Sequence, residues 1–267
     1  MRRLAILGGG KIGEALLSGL LRGPRALDSI VVSEHNEHRA AHLAATYQIQ
    51  ALPVEDAVRA SSVLLIAVKP QDIAALLAEI APHAEGQLVI SVAAGITTRR
   101  IEAGLPPGTP VVRTMPNTPA LVDQAMTAIS AGAHATEEHL VAAESVLASV
   151  GRVIRVPESQ LDAVTALSGS GPAYFFFLVE AMIDAGILLG LPRAVAAELI
   201  VQTALGSATM LRDTGEHPVQ LREAVTSPGG TTIMAIRELE RHGVRAALLA
   251  AIEAARDRSV ELGMVDD

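Results

Sequence analysis

The chain has 267 residues, 50% of them apolar, which is ample for a sizeable core; it has no cysteine, which excludes disulfides, thiolate nucleophiles and cysteine-ligated zinc. A formal net charge of −8, aromatic side chains at only 2% and the lack of any Lys/Arg run argue against nucleic acid as a partner. Cysteine-free composition also suits a reducing, cytoplasmic setting.

At the start, Met1-Arg2-Arg3 precedes an apolar stretch that breaks at three glycines, which reads as a first strand over Leu4–Leu7 and not as a signal peptide. The next residues, Gly8-Gly9-Gly10-Lys11-Ile12-Gly13, contain G-x-G-x-x-G directly after that strand and open a helix over Lys11–Leu21. In that setting Gly8 permits the turn and Gly10 admits a pyrophosphate. Gly13 lets helix pack on strand, while Lys11 and Ile12 present the helix N-terminus to the anion. A second strand over Ile30–Ser33 ends about where an adenosine ribose would lie. There Glu34 can accept from the 2′- and 3′-hydroxyls of NAD, or simply support the helix from Asn36, whereas Ser33, His35 and Arg39 offer donors suited to the extra phosphate of NADP. Both cofactors stay open.

Further apolar runs follow at Val63–Val68, Leu88–Val92, Val111–Thr114 and Val153–Val156, separated by helix-like stretches. They are apolar throughout and do not alternate, as strands covered on both faces should be. The expected architecture is α/β, a Rossmann-type doubly wound parallel sheet. Past Pro157 the strand-like runs stop, and Gly and Pro punctuate helices over Leu161–Leu167, Pro172–Leu189, Pro192–Leu211, Pro218–Val225, Thr231–His242 and Arg245–Leu262. Residues 1–157 therefore form the expected dinucleotide-binding domain and 158–267 an all-helical second domain.

The most apolar long stretch, from Pro172 to Leu191, is interrupted by Glu180 and Asp184. A carboxylate in a bilayer core costs roughly 2.5 kcal/mol or more, so this is expected to be an interface or core helix and not a membrane span. Several of these helices are apolar around most of their circumference, which points to a second chain covering them. His35, His38 and His42 share helical spacing, and His134 lies near His139. No acid or cysteine completes a ligand set, and no metal is expected.

Strand-end segments Ala67-Val68-Lys69-Pro70 and Ser91-Val92-Ala93-Ala94-Gly95 lie where ligands of open α/β folds bind. Pro116 and Pro119 bracket Asn117 and Thr118 in a stiff loop that presents these side chains. There Asn117 is either a nicotinamide-side contact or the anchor of a local turn. Thr226-Ser227-Pro228-Gly229-Gly230-Thr231-Thr232 opens a helix whose free amides favour an anion, with Gly243 at its C′ position; a plain Ser/Thr cap is the competing reading.

Together with Leu167-Ser168-Gly169-Ser170-Gly171-Pro172-Ala173-Tyr174, these segments resemble the pyrroline-5-carboxylate reductase family, over the whole chain and in the same order. The resemblance implies NAD(P)H-dependent reduction of 1-pyrroline-5-carboxylate, a cyclic imino acid, to proline. It also implies that Ala67–Pro70 and Ala93–Gly95 line the nicotinamide half. Ser227, Gly230, Thr231 and Thr232 would hold the substrate carboxylate, with the Thr232 hydroxyl as the catalytic contact to the ring nitrogen. Glu158 aligns with a position near the bound amino acid, against the alternative of an exposed loop acid. Ala224 departs from the pattern, standing where relatives often carry an Asn that touches the cofactor. Family members dimerise through the helical domain, the cofactor domain of one chain working with helices of its partner, and the dimers commonly form rings of five. A β-hydroxyacid dehydrogenase shares the two-part plan but relies on a lysine in the helical half. Here Lys11 and Lys69 are the only lysines. A non-enzymatic NAD(P) sensor would bind reduced cofactor without turning over the imine.

Overall fold

The computed structural model describes residues 3–22 and 29–264. By packing, the chain divides into a unit comprising the residues up to Ser170 together with those from Ala255 onward, and a second unit, Gly171–Ala254.

The first unit is built on an eight-stranded sheet: β1 (Arg3–Leu7), β2 (Ser29–Ser33), β3 (Gln50–Ala51), β4 (Val63–Ile66), β5 (Leu88–Ser91), β6 (Val111–Met115), β7 (Ala125–Ala131) and β8 (Gly151–Arg155). Its order is β3-β2-β1-β4-β5-β6-β7-β8, with β1 pairing parallel to both β2 and β4 (Leu4 opposite Ile30 and Val63). The first six strands thus follow the doubly wound order, reversing direction between β1 and β4.

Why most of these strands are apolar on both faces is visible in their packing. Leu4, Ile6, Val32, Leu65 and Ile90 enter one core, whereas Ala5, Leu7, Val31, Leu64, Ile66 and Val89 enter the other. On the first face lie α1 (Lys11–Arg22), α2 (Glu37–Tyr47) and α6 (Glu137–Leu147). On the second lie α3 (Val54–Arg59), α4 (Ile73–Ile80) and α5 (Thr98–Ala103). Alternate residues of one strand are buried on opposite sides, each large one contributing about 1.5–3 kcal/mol.

Two strands depart from the expectation. The short, exposed β3 carries no apolar run and is held by its parallel pairing with Val31 and Val32. Strand β7, rich in Ala, Ser and Thr, pairs antiparallel with β6 and parallel with β8, so the sheet is mixed and not wholly parallel. Beyond β8 the chain stays with the first unit. After α7 (Leu161–Val164) comes a π-helical turn, Thr165–Gly169, where one continuous α-helix was expected. Leu161 is fully buried.

The second unit contains α8 (Gly171–Leu188), α9 (Arg193–Thr214), α10 (Pro218–Ala224), α11 (Thr231–Arg241) and the first part of α12 (Val244–Met264). Gly243 adopts φ +66° just past α11, the left-handed C′ position expected for it. Along α8 and α9 only Gly171 and Ala196 are buried. Large apolar side chains stand open, among them Phe176 (70% exposed) and Leu188 (89%).

Candidate functional site

At the end of β1 the chain turns at Gly8, whose φ of +109° suits glycine and whose amide donates to the Ser33 carbonyl of β2 at 2.8 Å. A Cβ on Gly13 would lie 2.2 Å from the Gly8 carbonyl oxygen, so close packing of α1 on β1 also requires glycine there. At Gly10 the same atom would meet nothing within 4 Å; the residue faces a cleft of about 600 Å3. Gly8, Ser33, Glu34, Ala67, Val68 and Lys69 line that cleft too, at the carboxyl ends of β1, β2 and β4, where the winding reverses. An open-faced Gly10 next to the first, unpaired amides of α1 fits a dinucleotide pyrophosphate.

The rim beyond β2 is tightly bonded. Glu34 Oε2 accepts the Gly9 amide at 2.7 Å and Oε1 accepts the Asn36 amide at 2.9 Å. Asn36, not Glu34, caps α2, accepting the Arg39 amide at 2.9 Å. Arg39 turns back: Nε donates to the Gly9 carbonyl at 2.9 Å and Nη2 to Glu14 Oε2 at 2.5 Å. Burial pushes the Glu14 carboxyl up, but hydrogen bonds from Arg39 and Tyr47 outweigh it and hold the pKa below the ordinary 4.5. On Tyr47, burial and the facing Glu14 carboxylate both raise the hydroxyl.

Other residues picked out in the sequence lie outside this cleft's lining. Lys11, Ile12 and Gly13 sit in the first turn of α1, and Pro70 starts a 3-10 turn after Lys69. Ala93, Ala94 and Gly95 follow β5, with Gly95 at φ +76° and the Ala93 amide donating to Ser91 Oγ at 3.3 Å. Asn117, expected to present its side chain, is paired instead. Its Oδ1 accepts the Met126 amide at 2.9 Å, and Nδ2 donates to the Ser168 carbonyl and hydroxyl, both at 3.3 Å. This joins the proline-bracketed loop to β7 and the π-turn, satisfying an amide that would otherwise lack partners.

Glu158 is likewise engaged. Its carboxylate accepts the Thr98 amide at 2.7 Å, the Thr98 hydroxyl at 2.8 Å and Arg113 Nη1 at 3.2 Å. The Arg113 side chain, only 6% exposed, also faces Asp162 at 3.8 Å, and Asp162 accepts the Ser259 hydroxyl from α12 at 2.8 Å. Of this cluster only Glu158 was legible beforehand. Thr98, Arg113, Asp162 and Ser259 carry no local motif.

In the second unit, Gly229 takes φ +68° and the Gly230 amide donates to the Ser227 carbonyl at 3.1 Å, folding Ser227–Gly230 into a turn. Gly230 is the N-cap of α11, and no side chain caps that terminus. The amides of Thr231 and Thr232 therefore open a helix with neither a capping hydroxyl nor a carboxylate, and Thr232 is half-buried beside them. Ser227, Gly230, Thr231 and Thr232 are thus gathered at one helix start. Among the described residues, no three His, Asp or Glu side chains group as metal ligands. Two stretches, Glu158–Leu188 and Arg193–Thr214, are long and apolar enough to cross a membrane by composition, each with mean hydropathy 1.4.

Residues 158–262 match the family described as pyrroline-5-carboxylate reductase dimerisation, and residues 3–95 match NADP oxidoreductase coenzyme F420-dependent. Pyrroline-5-carboxylate reductase of Mycobacterium tuberculosis is 48% identical over 286 aligned positions, covering 98% of this chain and 97% of that protein. Among solved structures, the Coxiella burnetii pyrroline-5-carboxylate reductase superposes with a TM-score of 0.90 at 35% identity, covering 98% of each chain. The Plasmodium falciparum enzyme with NADP bound gives 0.88 at 26% identity, again over 98% of each chain.

Proposed function

The chain belongs to the pyrroline-5-carboxylate reductase family and catalyses the final step of proline biosynthesis, reduction of 1-pyrroline-5-carboxylate with NADH or NADPH; from that premise we propose how its residues divide the work. Gly8, Gly10, Lys11, Ile12 and Gly13 hold the pyrophosphate, and Ser33 and Glu34 the adenosine ribose. Ala67–Pro70, Ala93–Gly95 and the Asn117 loop shape the nicotinamide side. Asn117 acts there through the loop it braces, since its amide is already bonded. When bound, the reduced nicotinamide supplies the hydride.

The substrate carboxylate rests on the amides and hydroxyls of Ser227, Gly230, Thr231 and Thr232. Thr232 Oγ meets the ring nitrogen, positions it and stabilises the amine as it forms. A protonated imine already carries the nitrogen's proton, so no side chain acts as a strong acid. Glu158, its carboxylate occupied by Thr98 and Arg113, serves the substrate region by holding those elements in place. Functionally we divide the chain at residue 157, with 158–267 as the substrate-binding and dimerisation domain; the family match beginning at residue 158 supports that division.

One observation carries this assignment: each unit offers one glycine-rich turn opening a helix, so the two anions of the reaction, pyrophosphate and carboxylate, have separate receivers. Thr232→Ala should lower kcat about 100-fold or more, with cofactor affinity nearly unchanged, a size typical of losing one positioned transition-state contact. Loss of NAD(P)H absorbance with the imine measures it; an unaltered kcat removes Thr232 from the mechanism.

The bare apolar faces of α8 and α9 support a homodimer with a second copy, not lipid, covering them. Five such dimers closing into a decamer is the further assembly to which the family resemblance points. A cysteine-free chain is consistent with a cytoplasmic enzyme.

A further inference from the structure

A ribose and a phosphorylated ribose make opposite demands on the rim of the cleft. The free 2′- and 3′-hydroxyls of NADH are donors seeking acceptors, whereas the 2′-phosphate of NADPH is a dianionic acceptor seeking cations. Glu34 lines the cleft at the end of β2, and its carboxylate is fixed by two backbone amides, those of Gly9 and Asn36, one on each oxygen. A carboxylate has about four lone-pair sites, so each oxygen keeps one acceptor position, a match for a vicinal diol.

Of the cations that could reverse this preference, His35 and Lys69 line the same cleft as Glu34, and Arg39 is bonded to the glycine loop beside it. Arg39 is bonded to the Gly9 carbonyl and the Glu14 carboxylate. His35 is exposed, its Nε2 at 3.9 Å from Glu79 Oε1. Lys69 follows β4, two strands over from β2 in the sheet, a separation of about 10 Å by ordinary strand spacing. Lys11 is exposed at the start of α1 and is not part of the cleft lining.

We propose that Glu34, locked by the Gly9 and Asn36 amides, makes this enzyme selective for NADH over NADPH. The inference rests on the assignment of this cleft to the cofactor and says which of the two nucleotides it takes.

The test is titration of the full-length protein with NADH and NADPH, followed by nicotinamide fluorescence without imine, for wild type, Glu34→Ser and Glu34→Gln. Wild type should bind NADH at least about tenfold more tightly, the scale of one like-charge contact at a half-buried rim. In Glu34→Ser the ratio should fall to about threefold or less, chiefly because NADPH binds better. Raising salt should narrow the wild-type ratio by screening and leave that of Glu34→Ser unchanged, a response that a merely structural role of Glu34 would not give. If Glu34→Ser loses its fold by circular dichroism, Glu34→Gln, which keeps the side-chain length, decides in its place. Equal or tighter NADPH binding by wild type, or an unchanged ratio in a folded variant, overturns the proposal. Failure to bind either nucleotide would instead sink the cofactor assignment, and NADH-selective binding without imine turnover would sink the catalytic roles alone.

Discussion

Gly13 shows how one missing atom sets the glycine loop after β1. Because a Cβ there would fall 2.2 Å from the Gly8 carbonyl oxygen, which is backbone and cannot swing away, Gly13→Ala must push α1 off β1. The expected cost is about 1–3 kcal/mol of stability. Nucleotide affinity should drop about tenfold, equivalent to about 1.4 kcal/mol of lost contact. Thermal melts and a nucleotide titration check the two effects separately. Glu14 governs a pH response at the same scale. Its folded pKa lies below the ordinary 4.5, so the stability it lends is complete above that value and disappears as the pH falls through the lowered one. Glu14→Gln should therefore destabilise the protein at about pH 7, and its difference from wild type should shrink as the pH falls below the ordinary 4.5, read from urea melts. The glycines of this loop were legible because a tight turn constrains residues a few positions apart. Arg113 was not, since its partner Glu158 lies 45 positions away and no local spacing links the two.

Among elements, the end of α12 bears on the loop after β5. A Cβ on Gly263 would lie 2.8 Å from the Gly95 carbonyl oxygen, and one on Gly95 would lie 3.4 Å from the Gly263 amide nitrogen. Four residues before Gly263, Ser259 is bonded to Asp162, which fixes the helix against α7. Gly263→Ala should shift Gly95 by some tenths of an ångström and, on the proposal that Gly95 lies on the nicotinamide side, lower kcat about tenfold through misplacement, leaving the affinity for NADH nearly constant. Steady-state rates beside a binding isotherm separate these effects; a fall in affinity with kcat intact would move the Gly95 loop away from the hydride-transfer region. The strands with continuous Val, Ile and Leu were legible because each is covered on both faces. β7 was not: its Ala-, Ser- and Thr-rich sequence is made a strand by backbone pairing to β6 on one side and β8 on the other. β3 was missed for the same reason, two exposed residues being held only by the edge of β2.

For the whole molecule, the two-part plan followed from where β-branched runs give way to helices, but the packing of 158–170 and the end of α12 with the first unit did not. Contacts such as Asp162 with Ser259 join segments 97 positions apart and leave no periodic trace. What the helical half did declare is its excess of apolar surface, and the proposed homodimer rests on it. Phe175, Phe176 and Phe177 are successive residues of one helix, so they point around much of its circumference, and all three are at least 63% exposed. One fold-back within a single chain cannot cover them all; a second copy can, at about 1.5–3 kcal/mol for each large side chain removed from water. Phe176→Glu would place an unpaired carboxylate in such a seam, where desolvation opposes association. Sedimentation should then show monomers, with imine reduction abolished and NADH affinity within about threefold of wild type, because the cleft at β1 and β4 belongs wholly to the first unit. A variant that remains dimeric and active would place the seam on another face of these helices; one that is monomeric and fully active would show that a single copy completes the site.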